Sequence, residues 1–232
     1  MNTSGSGTGA LDELFVEMEF DFQAAEKKRF DDYEKFVGET AIFPNDRGIS
    51  YCVTKLCGEI GEVHDKISMI VLQSSAFSDN YFAHCLSKDD EKAIILELGD
   101  VLWYTTALSR QFGKSLHDLY CLEVEPDPGL EHPSDVSTLV YLNRLSAQAG
   151  NIAERSGKMI RDKGSDGTNT SYLSDPDYVD LVVMSLHHIV ELIEAVAFNI
   201  GWETLSTVIE KNVEKLESRR ARNVIKGDGD NR

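Results

Sequence analysis

Apolar residues recur along most of this chain at intervals of three and four, and strict β-branched alternation is almost absent. That period belongs to helices buried along one face. Leu14, Phe15, Met18, Phe22 and Ala25 keep helical spacing within a charged stretch from Leu11 to Val37, the first expected helix. Thr40–Gly48, broken by Pro44 and Gly48, reads as a loop, and Ile49–Leu72 as the second helix. Ser74–Leu86 is polar and aromatic and reads as irregular. Ser87 with Asp90 forms a capping-box pattern opening a helix from Lys88 to Phe112, which Gly113 stops. Ser115 with Asp118 starts a short helix ending before Pro126. Beyond it, Asp135–Arg161 is helical and Asp162–Ser174, with Gly164 and Gly167, reads as a loop. Asp175-Pro176 pairs an N-cap with an N1 proline and opens a helix to Ile200. Gly201 punctuates it, and Trp202–Arg222 is the last helix. The expected fold class is all-α, a helical bundle.

The two halves look alike. Leu56, Glu59, Gly61, Glu62, Asp65 and Lys66 align with Leu145, Gln148, Gly150, Asn151, Glu154 and Arg155, and Gly113 aligns with Gly201 at nearly the same offset. We read this as an internal duplication, a tandem pseudo-dimer. Its first unit spans 11–124 and its second 135–226. The Pro/Gly-rich segment 125–134 links them, and 1–10 and 227–232 are flexible ends.

Composition narrows the partners. The 232 residues carry 23 Lys and Arg against 40 Asp and Glu, a net charge of −17. Such a surface disfavours a nucleic acid polymer, which needs clustered cations, and an anionic membrane. No apolar run approaches the roughly 20 residues a membrane span needs, and the N-terminus has no signal-peptide pattern. Cys52, Cys57, Cys85 and Cys121 form no CxxC pair. They read as reduced, mostly core cysteines of a cytoplasmic protein.

The candidate chemistry lies in paired acids. Glu59 and Glu62 are spaced i, i+3 on one expected helix, Glu97 and Asp100 on the next, so each pair projects from one face. Leu56, Ile60 and Val63 flank the first pair; Ile95, Leu98, Val101 and Leu102 flank the second. Four carboxylates among core-facing residues repel and are costly to desolvate unpaired. A hard divalent cation resolves the conflict, and carboxylate oxygens are what Mg²⁺ takes. Gly58, Gly61 and Gly99 are read as leaving room for a ligand. The competing interpretation is a solvated acidic helix face. A di-iron bundle fits less well, since no ExxH motif follows these acids.

These motifs resemble a known family. GEIGEVHDKI (Gly58–Ile67) followed by ILELGDVLWY (Ile95–Tyr104) is similar to the ExxE…ExxD signature of MazG-like, all-α nucleoside triphosphate pyrophosphohydrolases. Thr40–Pro44 with Gly48–Tyr51 resembles the family's entry to its first motif helix, and Asn212–Arg219 with Val224–Arg232 resembles its basic ending. The departure is the second unit, inserted before that ending. There Gln148, Asn151, Ser185 and His188 stand where the first unit has Glu59, Glu62, Glu97 and Asp100, so it should hold no Mg²⁺, and His187 and His188 are read as non-ligating. The first unit in turn lacks the basic ending. This suggests one composite site, with acids from the first unit and cations from the second, much as in dimeric dUTPases.

The resemblance implies Mg²⁺-dependent hydrolysis of a nucleoside triphosphate to monophosphate and pyrophosphate, clearing non-standard or excess nucleotides. Glu59, Glu62, Glu97 and Asp100 would bind the metal, with Mn²⁺ a possible substitute, and Glu59 or Glu62 would activate water. Lys215, Arg219 and Lys226 would hold phosphate, Asn212 sugar or phosphate, and Tyr104 the base or sugar. Phe43, Tyr51 and Tyr33 are further stacking candidates, with core packing the simpler role; Trp103 reads as core. Asp65 and Lys66 either support the site or form a surface ion pair, and His64, beside Glu62, reads as a polar surface residue rather than a ligand. A homodimer is expected. The alternatives are a narrow dUTPase- or dCTPase-like enzyme, a phosphoribosyl-ATP pyrophosphohydrolase, or a non-catalytic helical binding module.

Overall fold

The structure is a computed structural model that describes residues 8–73, 86–124, 137–201 and 204–222, with 8–22 and 73 by backbone alone. Its helices are α1 (Thr8–Thr40), α2 (Gly48–Gln73), α3 (Lys88–Gln111), α4 (Leu116–Tyr120), α5 (Thr138–Lys163), α6 (Asn169–Leu173), α7 (Pro176–Asn199) and α8 (Leu205–Ala221), with a 3₁₀ turn at Asn45–Arg47. The described residues contain no strand, and the chain is all-α. The irregular segment expected at Ser74–Leu86 lies outside the described residues up to 85, as do the linker 125–134, Trp202, Lys226 and the tail 227–232. At the other end helix begins at Thr8, so the last three residues of the expected flexible N-terminus are helical.

Local chemistry sets the boundaries. Both expected capping boxes form, Ser87 with Asp90 and Ser115 with Asp118, and Asp175 caps α7 ahead of Pro176. Gly113 and Gly201 take φ of 67° and 91° after α3 and α7, a conformation that strains other residues.

Four long helices make the bundle. α2 packs chiefly on α3, and α5 on α7; the pairs meet through α2 against α5 and α3 against α7. α8 lies along α3, and α1 borders α3, α4 and α8. One continuous core runs from Phe30, Tyr33 and Val37 through Leu56, Ile60, Leu98 and Leu102 to Leu145, Ile152, Ile189 and Val208. Both halves of the sequence thus share a single interior. α7 is long and apolar enough to cross a membrane, which the residue pattern did not single out, yet 61% of that stretch is buried within the fold. Its broad apolar face makes it the central core helix of the second pair, while Asp180, His188, Glu191 and Glu194 line its partly exposed side.

The segment expected to be a loop at Asp162–Ser174 contains α6 and clamps the start of α2. Asn169 Oδ1 accepts from the backbone N–H of Ile49 (2.9 Å), while its Nδ2 donates to the Asn45 carbonyl (2.9 Å) and Gln111 Oε1 (2.8 Å). Ser50 Oγ donates to the Gly167 carbonyl at 2.8 Å. A residue of the second half therefore caps the helix that carries Glu59 and Glu62. The cysteines are less buried than expected. Among the described residues, which do not include Cys85, Cys52 is core, its thiol pushed up to about 12 by burial, whereas Cys57, off the apolar stripe of α2, and Cys121, just past the end of α4, are exposed.

Candidate metal centre

α2 and α3 present their acids to one another. One carboxylate oxygen from each of Glu59, Glu62 and Glu97 lies within 4.8 Å of the others. Glu59 (6% exposed) and Glu97 (1%) are buried, and Glu62 is exposed. Two acids taken out of water thus border one that faces it, an arrangement that leaves a route in for a solvated ion. Burial raises the Glu59 carboxyl above its usual range; the Lys55 hydrogen bond opposes this, and Asp100 and Glu62 add to it.

Asp100 is turned toward α8 instead. Its Oδ1 accepts from Asn212 Nδ2 (3.0 Å) and its Oδ2 from Lys215 Nζ (2.7 Å). Lys215 Nζ also stands 3.9 Å from Glu97 Oε2. Behind this, the buried Tyr33 hydroxyl donates to Asn212 Oδ1 at 2.9 Å. Tyr33 therefore positions Asn212, since its ring is enclosed in the core where no base can stack on it. Gly99 explains how α8 comes so close: a Cβ there would lie 2.8 Å from Asn212 Cβ. The space read as ligand room at Gly99 is filled by Asn212. Gly58 and Gly61 do face open space.

Acids of the first half and Asn212 and Lys215 of the second thus meet within one chain. Arg219, also on α8, is buried at 6% exposure. Lys226 lies outside the described residues.

Lysines balance the cluster. Lys55 Nζ is 2.7 Å from Glu59 Oε1, and Lys66 Nζ is 3.3 Å from Glu97 Oε1. Lys66 is thereby part of the site, while Asp65 is exposed. Lys55 was missed in the sequence, although it stands one helical turn before Glu59, where i, i+4 pairing is a readable signal. Its Nζ also lies 5.6 Å from the centre of the Tyr104 ring. Tyr104 in turn packs edge-on against Trp103 (4.7 Å between centroids) and tilted against Tyr51 (6.2 Å). Phe43 stacks on Tyr51 at 5.2 Å. Trp103 Nε1 donates to Thr40 Oγ1 at 2.9 Å, which holds the buried indole in place. Tyr51 is 39% exposed, so this aromatic group opens to solvent beside the acids. His64 lies elsewhere: its Nε2 is 3.0 Å from the Leu142 carbonyl and 2.8 Å from Ser146 Oγ, tying α2 to α5.

The residues fit a hard divalent cation. The donors are carboxylate oxygens from two rigid helices, one of them with a raised pKa that a nearby cation would lower.

Among known proteins, the Gene 37 protein of Mycobacterium phage L5 is 35% identical over 106 residues, 45% of this chain and 86% of that relative. No protein-family model matches the chain, and no solved structure matches it.

Proposed function

The chain belongs to the same family as the Gene 37 protein of Mycobacterium phage L5, and for a member with this acid cluster we propose Mg²⁺-dependent hydrolysis of a nucleoside triphosphate to monophosphate and pyrophosphate. The observation that carries it is the convergence of Glu59, Glu62 and Glu97 within 4.8 Å, bordered by Asp100 with Lys215 from α8. The MazG-like motifs supply the reaction class. Glu59, Glu62 and Glu97 would hold the ion, with Asp100, paired to Lys215, bordering them. When bound, the ion neutralises phosphate oxygens and makes a water more acidic.

The reaction itself is simple. A water oxygen bonds to the α-phosphorus, the α–β anhydride bond breaks, and pyrophosphate leaves with its electron pair while the water's proton passes to a base. Glu62, exposed beside the buried pair, would accept that proton. Lys55, Lys66 and Lys215 neutralise the acids in the ion-free chain. Beside a bound ion, these ammonium groups would turn to phosphate oxygens. Tyr104, Tyr51 and Phe43 offer a half-open aromatic surface for a base.

The test is product analysis. The purified chain is incubated with Mg²⁺ and a panel of standard nucleoside and deoxynucleoside triphosphates plus dUTP, and monophosphate and pyrophosphate are quantified. Both products are expected from at least one substrate, with Mn²⁺ able to replace Mg²⁺, and both vanish without metal and in Glu62→Gln. A panel that includes phosphoribosyl-ATP separates the broad activity from the narrow alternatives.

One observation favours a second reading, a helical module without catalysis: each of Glu59, Glu97 and Asp100 already has a lysine partner, so the fold itself does not require a metal. That reading predicts no turnover and no thermal stabilisation by Mg²⁺. A metal at a hundred times its dissociation constant would instead add about 2.7 kcal/mol.

A further inference from the structure

The second half carries a cluster of different chemistry. On α7, His187, His188 and Glu191 each offer a ligand atom, and these atoms lie within 4.8 Å of one another. His187 is 2% exposed. Its Nδ1 is 2.8 Å from the backbone carbonyl of Leu119 on α4. A carbonyl can only accept, so Nδ1 carries the proton and the lone pair of the neutral ring sits on Nε2. Nε2 is buried with no hydrogen-bond partner, and it faces Glu191 Oε2 at 3.4 Å. Two electron-rich atoms therefore confront each other across a gap that asks for a cation. His188 Nδ1 reaches the same oxygen at 3.2 Å.

We propose that His187 Nε2, His188 Nδ1 and the Glu191 carboxylate bind a zinc-class divalent ion, at a site separate from the acidic cluster. The distances support it. Ligand atoms at zinc bond lengths on a tetrahedron stand about 3.3–3.5 Å apart, against the 3.4 and 3.2 Å found here. The N–H of Nδ1 held by a carbonyl is the outer-shell arrangement that orients a ligating imidazole. Two imidazoles and one carboxylate favour a borderline first-row metal over Mg²⁺. His188 and Glu191 are partly exposed, so the ion has an entry path and a fourth position open to water. Glu194, one turn along, is already engaged by the backbone N–H of Leu205 at the start of α8. In the alignment of the two halves, His188 occupies the place of Asp100, so the second copy exchanges an oxygen donor for nitrogen. The proposal departs from the sequence-based reading of both histidines as non-ligating.

The test is calorimetric titration of the full chain with Zn²⁺, in wild type and in the variants Glu191→Gln, His188→Asn and Glu62→Gln, with melting temperatures taken first without metal. One tight binding event is expected in wild type and in Glu62→Gln. It should weaken by more than about tenfold, the lower end of what even an outer-shell partner contributes, in Glu191→Gln and His188→Asn. Both substitutions lie at partly exposed positions, so unchanged metal-free melting separates lost ligation from lost folding. The absence of a binding event in wild type would overturn the proposal. A tight event that survives both ligand substitutions but is lost in Glu62→Gln would overturn it equally, by placing the zinc in the acidic cluster.

Discussion

Two helix-interior glycines should respond to the same substitution in opposite ways. Gly61 on α2 has nothing within 4 Å of where a Cβ would go, whereas at Gly99 on α3 that Cβ would meet Asn212 Cβ at 2.8 Å, with Asn212 Nδ2 at 3.1 Å. Alanine is a better helix former than glycine by about 1 kcal/mol at either position. At Gly61 that gain is unopposed, so Gly61→Ala should stabilise by up to about 1 kcal/mol. At Gly99 the opposing atom is a Cβ, which no rotamer change can move, so α8 must back away from α3. Overpacking of this kind costs about 1–3 kcal/mol. The net effect of Gly99→Ala should therefore run from neutral to about 2 kcal/mol destabilising, leaving the two variants about 1–3 kcal/mol apart. Urea unfolding measures this as a shift in midpoint at constant slope. For a chain of this length each kcal/mol also moves Tm by about 2–4 °C. Because α8 carries Asn212 and Lys215, Gly99→Ala should in addition weaken any activity that depends on their contact with Asp100, and Gly61→Ala should not. Equal stabilisation by the two substitutions would refute the close approach of α8 to α3.

Three further outcomes follow from the same contacts. Tyr33→Phe removes the donor to the buried Asn212 Oδ1 without opening a cavity and should cost about 1–3 kcal/mol; in an Asn212→Ala background the same change should cost almost nothing, and an undiminished loss in that double-mutant cycle would show that Tyr33 acts elsewhere. Asn169→Ala strips the cap from α2 and two other hydrogen bonds, and should lower stability by about 1–2 kcal/mol in chemical denaturation. Glu59, whose carboxyl is raised chiefly by burial, favours the fold below its unfolded pKa and loses that contribution as pH rises through the folded value; Glu59→Gln should thus raise the Tm of the metal-free chain at neutral pH, with the gain shrinking on acidification, and a lowered Tm at neutral pH would show that the Lys55 pair outweighs desolvation.

Helix positions were legible because their signals are local. Ser87 with Asp90, Ser115 with Asp118, and Asp175-Pro176 start helices through hydrogen bonds that span three residues or fewer. Gly113 and Gly201 end them for reasons of backbone sterics alone. The i, i+3 spacing of Glu59 with Glu62, and of Glu97 with Asp100, likewise puts each pair on one helix face whatever the tertiary contacts. α6 escaped because a single turn leaves too short a pattern to read.

What spacing along the chain could not reach is which faces meet. Nothing in the order of residues states that Asp100 turns from the other acids to Asn212 and Lys215, more than a hundred positions on, or that Asn169 caps α2. The same holds for Gly99, whose missing side chain serves helix packing, and for His187, whose tautomer follows from the carbonyl of Leu119 on another helix. The apolar stripes establish that helices pack and with which side. The partner, its depth and the direction of each polar group emerge only when every stripe is buried against the others at once, because burial in a shared core is a property of the whole chain.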